Sequence, residues 1–199
     1  MPEAQGWAAW RQNQRRQLIA SRQSLSEVER ISAQQLIQDR LLSLLAPLTP
    51  GTIGFYMPIR GEINCQTLIE RLLAKGWLAA LPKIIAKDAA LQFRQWTPDC
   101  DMQPEIWQIP VPQNTSELIP DVLLIPLVGF DKQLHRLGNG GGFYDRSLAS
   151  MSPKPLAMGV GLELQNLGDI QPQPHDMAMD YVVTEQAIYS DVVITQPKL

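Results

Sequence analysis

The sequence predicts an α/β fold: a three-layer α/β/α sandwich with a mostly parallel central sheet. Three observations carry this expectation. A strand, helix, strand order reads from Thr52 to Ile85, the repeating unit of parallel sheets. The run Asp121–Phe130, DVLLIPLVGF, is apolar at nearly every position, as a strand covered on both faces must be. A glycine-rich loop follows that run and a helix start follows the loop, which places the loop at the carboxyl edge of the sheet, where open α/β sheets bind ligands.

Residues 3–22 are expected to form the first helix, with Trp7, Trp10, Leu18 and Ile19 apolar and Arg11, Arg15, Arg16 and Arg22 basic. Arg11 and Arg15 are four apart and share a helical face. That face is either a solvated basic surface or a pair of guanidinium groups aimed at phosphate. Ser26 with Glu29 three residues on reads as the capping box of a second helix running to about Leu45. Pro47, Pro50 and Gly51 then break the chain.

Thr52–Met57 is a short, apolar, β-prone run and is expected to be a buried strand. Pro58 to Gly61 is a turn, Glu62–Lys75 a helix ended by Gly76, and Trp77–Ile85 the next strand. Leu91–Trp96 alternates apolar and polar residues, as a half-exposed strand does. Residues 97–120 carry Pro98, Pro104, Pro110, Pro112 and Pro120 and are expected to form a long loop with a short extended piece around Ile106–Val111. Trp107 within it is either a platform for a flat ligand or a packing anchor. Pro126 counts against a regular strand through the whole of Asp121–Phe130. Beyond it follow a turn at Asp131-Lys132-Gln133, the glycine loop, a helix over Tyr144–Met151 and a strand over Pro155–Leu162. Loop and short helix are expected over 163–180, and one or two β-rich pieces over Tyr181–Tyr189.

A chain of 199 residues, 45% apolar and 19% charged, can bury the core of one α/β domain over 1–199, with N-terminal helices over 3–45 and the sheet and its ligand loops over 52–190. A net charge of -3 gives no overall attraction to nucleic acid or an anionic membrane. No apolar run approaches the ~20 residues needed to span a bilayer. The first residues, MPEAQGWAAWRQNQRRQ, have no apolar core before a small-residue cleavage site, so no secretory leader is expected and the cytoplasm is the expected compartment. Cys65 and Cys100 form no CxxC pattern and are expected to be reduced thiols. His135 and His175 are too few and too far apart in sequence for a histidine-rich metal site.

The stretch Arg136 to Leu148, RLGNGGGFYDRSL, carries the chemistry. Its glycines permit positive φ and leave backbone N–H groups uncovered, so the loop can form a nest for phosphate oxygens. The helix that begins after it adds free N–H groups and the positive end of its dipole. The loop lacks the Gly-Lys-Ser/Thr end of a Walker motif, and Phe143 stands where a dinucleotide fingerprint needs Gly. Taken alone it is either a phosphate nest or a structural turn. Asp145 either caps the following helix or binds Mg²⁺, which suits one or two carboxylates plus substrate phosphates. Spacing leaves Asp176 and Asp180 equally open as the second carboxylate, and His175 reads as a structural histidine.

The stretch Asp121 to Leu148 contains Pro126, Phe130-Asp131, Arg136-Leu137-Gly138, Gly140 to Gly142 and Phe143-Tyr144-Asp145 in order, and it resembles the signature of the 5-formyltetrahydrofolate cyclo-ligase family, also called methenyltetrahydrofolate synthetase. The resemblance extends over nearly the whole chain. It takes in Arg11 and Arg15 before Leu25-Ser26, Glu62-Ile63 and Thr67, Pro82, Leu91-Gln92-Phe93, His175-Asp176 and Val183-Thr184-Glu185. The chain departs from the family pattern at Arg11, where Lys is usual, at Phe143, where Tyr is commoner, at Asn139 and Gly141, where larger or charged residues occur, and around Ile109–Pro112.

The resemblance implies a Rossmann-like, CoA transferase-like fold and an ATP-dependent ligase that forms a C–N bond. Its reaction closes 5-formyltetrahydrofolate to 5,10-methenyltetrahydrofolate and releases ADP and phosphate. The formyl oxygen is a poor leaving group. Phosphorylating it makes an iminium phosphate that N-10 attacks, and ring closure expels phosphate, so the protein chiefly positions and neutralises charge. By the same resemblance, ATP as co-substrate is expected at Arg11, Gln12, Asn13, Gln14 and Arg15 and at Arg136, Leu137, Gly138, Asn139, Gly140, Gly141, Gly142, Phe143 and Tyr144. The folate is expected against Met57, Glu62, Trp107, Asn139 and Gly140 to Phe143, with Glu62 accepting hydrogen bonds from the pterin. Asp145 and Asp176 are expected to hold Mg²⁺, and Arg15 and Asp145 to act in catalysis. The small-molecule folate is the expected partner and a monomer the expected state. Two other readings of the residues are a sugar-phosphate isomerase-like enzyme, which would use the loop for one phosphate and need no ATP, and a non-catalytic nucleotide- or folate-binding protein on a related fold.

Overall fold

The computed structural model describes residues 2–191; residue 1 and residues 192–199, the ends of the expected 1–199 domain, lie outside the described residues. Helix α1 (Pro2–Gln23) is built largely from Ala, Gln and Arg, strong helix formers. Helix α2 (Glu27–Leu45) starts on the expected capping box: the Glu29 N–H donates to Ser26 Oγ at 3.3 Å and the Ser26 N–H to Glu29 Oε2 at 2.9 Å. Ala33, Ile37, Leu41 and Leu45 recur every four residues and form its buried face.

Strand β1 (Thr52–Gly54) is shorter than the expected Thr52–Met57, and Met57 lies in the loop beyond it. Helix α3 (Gln66–Leu73) begins four residues after the expected Glu62. The reason is local: the Glu62 carboxylate accepts from the Ile59 N–H at 3.0 Å and closes a turn, and Asn64 Oδ1 accepts from the Gln66 N–H at 2.8 Å. Gly76 (φ 89) ends the helix as expected. Strands β2 (Leu78–Lys83) and β3 (Gln92–Trp96) follow.

The expected long loop over 97–120 instead contains a hairpin of β4 (Met102–Pro104) and β5 (Pro110–Pro112), joined by a 3-10 turn at Ile106–Gln108. A two-stranded ribbon with Pro at its edges tolerates the missing donors that made the segment read as loop. The run Asp121–Phe130 is two strands, β6 (Val122–Pro126) and β7 (Gly129–Asp131). The break falls after Pro126, which has no N–H for a ladder; from Val128 on the chain pairs with β8 (Arg136–Leu137), the Val128 N–H donating to the Leu137 carbonyl at 2.8 Å. Helix α4 (Phe143–Ser150), β9 (Leu156–Val160), β10 (Asn166–Gly168), β11 (Tyr181–Val183) and β12 (Ile188–Ser190) complete the order.

The central sheet has seven strands in the order β12-β11-β9-β6-β1-β2-β3. The inner pairs β11/β9, β9/β6, β6/β1 and β1/β2 are parallel, and the edge strands β12 and β3 are antiparallel. Side chains of period two divide between its faces. Val122, Leu124, Met158, Ile53 and Leu81 join the core under α2 and α3, whereas Leu123, Ile125, Ala157 and Val182 join the core that holds Leu148 of α4. Helices thus cover both faces, as a parallel sheet requires. A small sheet of β10-β7-β8 sits beside it, with α1 against β7. Among the described residues no helix is long and apolar enough to cross a membrane. Cys65 and Cys100 are free, and burial pushes the Cys65 thiol up to about 12.

Candidate functional site

A cavity of about 550 Å³ opens at the carboxyl ends of β1, β2 and β6, marked by Met57, Pro82 and Pro126. Helix α1 and the glycine loop form one side, and the β4–β5 hairpin overhangs it with Glu105, Ile106 and Trp107. Of the residues the sequence singled out, Arg11, Arg15, Met57, Glu62, Trp107, Arg136, Gly138 to Asp145 and Asp176 all line this cavity.

Four do not. Gln12 and Asn13 are exposed and Gln14 half-buried, all outside the lining. A helix turns ~100° per residue, so only Arg11 and Arg15 of that turn face inward. Leu137 is buried within β8, its side chain in the core rather than the cavity. Conversely His175 lines the cavity, as do Tyr56, Arg60 and the hairpin residues Glu105 and Ile106, which the sequence reading did not place there. The Pro-rich composition of 97–120 masked the hairpin. Asp180 is committed elsewhere, its carboxylate accepting from the Ala157 N–H at 2.7 Å.

One end of the cavity is cationic. Arg15 Nε donates to the Gly138 carbonyl at 2.8 Å. Gly140 sits at φ 96 against Arg15, a backbone conformation that glycine adopts without strain. Burial and the neighbouring Arg11 both lower Arg15, with Asp176 partly offsetting them. Arg11 Nη2 pairs with Asp176 Oδ2 at 2.6 Å, whereas Arg11 Nε is buried with no hydrogen-bond partner among the described residues. Two adjacent, partly desolvated guanidinium groups with an unspent donor form a site for an anion. Gly142 (φ 65) is the N-cap of α4 and supplies no side-chain cap, which leaves the helix's first N–H groups for a ligand. The helix-cap reading of Asp145 is thereby set aside: it sits inside the first turn, three residues past the cap.

Asp145 Oδ1 accepts from Arg136 Nη2 at 2.7 Å and from the Met177 N–H at 3.0 Å. Asp176 Oδ2 is shared by Arg11 and the Gln173 N–H. Burial alone would raise the Asp176 carboxyl, but the hydrogen bonds from Arg11 and Gln173 and the charges of Arg11 and His175 outweigh it and hold it below its ordinary value. Each carboxylate keeps one oxygen outside these hydrogen bonds. Among the described residues no three His, Cys, Asp or Glu side chains cluster as a metal cage. The donor set therefore fits a hard cation shared between carboxylate and phosphate oxygens, not one held by protein alone.

The other end carries Glu62. Its Oε2 is fixed by the Ile59 N–H, and its Oε1 lies 3.5 Å from Asn139 Nδ2 and 3.7 Å from Arg22 Nη2. Burial raises its carboxyl, opposed by the Ile59 N–H and Arg22. Tyr56 is buried and Tyr144 half-buried nearby, and both hydroxyls are raised by desolvation, with Glu62 adding to both shifts. Trp107 and Phe143 meet edge to face across the mouth, centroids 6.1 Å apart at 70°.

Fold and cavity define an α/β small-molecule-binding protein, with arginines and a glycine loop suited to anions and a buried carboxylate beside Asn139 of that loop. The chain belongs to the 5-formyltetrahydrofolate cyclo-ligase family, whose pattern matches residues 7–185. It is 30% identical over 176 residues to a 5-formyltetrahydrofolate cyclo-ligase of Mycolicibacterium smegmatis, covering 84% of this chain and 89% of the relative. Its structure is similar to a 5,10-methenyltetrahydrofolate synthetase from Mycoplasma pneumoniae, with a TM-score of 0.73, 29% identity and coverage of 88% and 98% of the two chains. The 5,10-methenyltetrahydrofolate synthetase of Aquifex aeolicus matches with a TM-score of 0.80 at 26% identity, covering 95% of this chain and 96% of the other.

Proposed function

We propose that this protein uses ATP to close 5-formyltetrahydrofolate to 5,10-methenyltetrahydrofolate, as a monomer in the cytoplasm. The observation that carries the reading is that Arg11, Arg15, the glycine loop and Glu62 line one cavity. The two ends suit two ligands reacting with each other: a triphosphate and a flat heterocycle with N–H donors.

The formyl oxygen on N-5 attacks the γ-phosphorus, and the bond to the β–γ bridging oxygen breaks to release ADP. The resulting N-5 iminium phosphate is electrophilic at the former formyl carbon. N-10 adds to that carbon and loses its proton to solvent, and the C–O bond to phosphate then breaks, leaving the methenyl bridge. Arg11 and Arg15 hold the triphosphate and offset its charge, and the backbone N–H groups of Gly140 to Phe143 cradle it. Asp145 and Asp176 would hold Mg²⁺, which would supply positive charge against the phosphates. Glu62 accepts from the pterin amino and ring N–H groups and orients the ring. Trp107 and Phe143 exclude water from the reactive phosphate.

The experiment is an omission series. Complete mixtures of protein, 5-formyltetrahydrofolate, ATP and Mg²⁺ are expected to develop the near-ultraviolet absorbance of the methenyl product, and mixtures lacking ATP are not. A folded protein that gives no product from the complete mixture overturns the reading.

A further inference from the structure

On α1, Arg22 lies eleven residues beyond Arg11, and Arg11, Arg15, Leu18 and Arg22 follow an i, i+4, i+7, i+11 pattern that keeps them on one helical face. Arg11 and Arg15 line the anion end of the cavity. Arg22, about 16 Å along the helix at 1.5 Å per residue, reaches Glu62. We propose that Arg22 is a positioning residue for the reaction: it holds Glu62 as an oriented carboxylate at the pterin end and, through α1, fixes that end relative to the phosphate end. The inference rests on the cyclo-ligase reading above.

The geometry is specific. Arg22 is 2% exposed, so its charge must be met inside the protein rather than by water. Its Nε donates to the Arg60 carbonyl at 3.0 Å and its Nη1 to the Leu127 carbonyl at 3.1 Å. These bonds clamp two backbones at the cavity: Arg60, held at φ 49, and the residue after Pro126, where β6 leaves the sheet. Nη2 is buried, has no hydrogen bond and stands 3.7 Å from Glu62 Oε1. Among the described residues its one counter-charge at that distance is Glu62. The guanidinium is thus fixed by backbone on two sides and presents its third nitrogen to the carboxylate.

Glu62 needs that charge. The groups facing it are Arg22 from α1, Tyr56 and Arg60 from the loop after β1, Tyr144 from α4 and Asn139 from the glycine loop. Arg60 is exposed, and its charge is the weakest of the effects that lower the Glu62 carboxyl. Burial favours the neutral acid, which is a poorer acceptor for the two N–H groups of a pterin edge. Beside the Ile59 N–H, which lowers the carboxyl most, Arg22 supplies the buried opposing charge that favours Glu62 as an anion.

The test uses the full-length protein and measures the dissociation constant of 5-formyltetrahydrofolate and the KM of ATP across about pH 8 to pH 6, a range in which a buried carboxyl without its cation titrates. Wild type is expected to bind folate with little pH dependence. Arg22→Gln keeps donors for the Leu127 carbonyl but no charge, and is expected to weaken folate binding about tenfold or more, increasingly as pH falls, with the ATP KM nearly unchanged. Arg22→Lys is expected to restore the flat pH profile. A folded Arg22→Gln protein with wild-type folate binding, or with a loss equal at every pH, overturns the proposal. Should Arg22→Gln not fold, NMR of the Glu62 side-chain carboxyl in wild type decides: an ionised signal throughout the range supports the assignment and a protonation midpoint inside it overturns it. Wild-type turnover is recorded alongside; its absence counts against the cyclo-ligase reading, and the NMR titration still decides the Arg22–Glu62 relationship.

Discussion

Arg136 and Asp145 form a closed ring with the backbone of one residue: Arg136 Nη2 donates to Asp145 Oδ1 at 2.7 Å, the Met177 N–H donates to the same oxygen at 3.0 Å, and Arg136 Nη1 donates to the Met177 carbonyl at 3.0 Å. The ring ties β8 and α4 to the segment that carries Asp176. It brings the two carboxylates proposed for Mg²⁺ to one place, although they are 31 residues apart in sequence. Asp145→Asn keeps the shape of the ring but removes its negative charge. We expect a fall in kcat of about a hundredfold or more, with folate affinity preserved. Steady-state kinetics with a direct folate-binding assay checks this, and unchanged kcat removes Asp145 from the site.

The Arg11–Asp176 pair predicts a pH dependence. The Asp176 carboxyl is held below its ordinary value of 3.8, so the folded state binds its proton less readily than the unfolded chain does. The stabilisation is present above that value and is lost as pH falls through the lower, folded value. Thermal melts from about pH 5 to pH 3 are expected to show a shallower acid decline for Asp176→Asn than for wild type. Parallel declines would show that the pair is not coupled to folding.

Two glycines of the loop are predicted to fail differently. Gly140→Ala forces a side chain into φ 96 beside Arg15, a strain of about 1–3 kcal/mol; the ATP KM is expected to rise. At Gly141 an added Cβ would lie 2.6 Å from the Phe143 ring. Gly141→Ala therefore displaces Phe143 and its edge contact with Trp107, and the folate KM is expected to rise more than that of ATP. Equal effects on both substrates from both variants would contradict the division of the cavity into two ends.

Trp107 is 64% exposed and sits at φ 57 at the tip of the β4–β5 turn. So exposed a side chain contributes little to folding, and Trp107→Ala is expected to change stability by only about 0.5 kcal/mol. If it covers bound substrate, kcat/KM for folate falls and uncoupled ATP hydrolysis rises. A large loss of stability with normal turnover would return Trp107 to a packing role.

Much of this site was legible in the sequence, for physical reasons. Period-two and all-apolar runs identify strands, the Ser26/Glu29 box marks α2, and consecutive glycines before an apolar helix mark the loop. Arg11 and Arg15 were readable as a pair because a helix places residues four apart on one face. That phase, continued to Arg22, would have pointed to the same wall of the cavity. Glu62 was read as the start of a helix because propensity carries no account of a carboxylate that caps its own preceding turn at Ile59. Pro126 signalled the break within DVLLIPLVGF but not that the chain would enter a second sheet, which depends on pairing with the distant β8. The hairpin over the cavity was hidden because its pairing, Met102 with Pro112, is invisible to local pattern.

The proposed route assigns one fate to the formyl oxygen, and labelling follows it. With 5-formyltetrahydrofolate carrying ¹⁸O in the formyl group, mass spectrometry of the released inorganic phosphate is expected to find the label there, one labelled oxygen for each methenyl product formed. Unlabelled phosphate, with the ¹⁸O in water, would contradict phosphoryl transfer to the formyl oxygen.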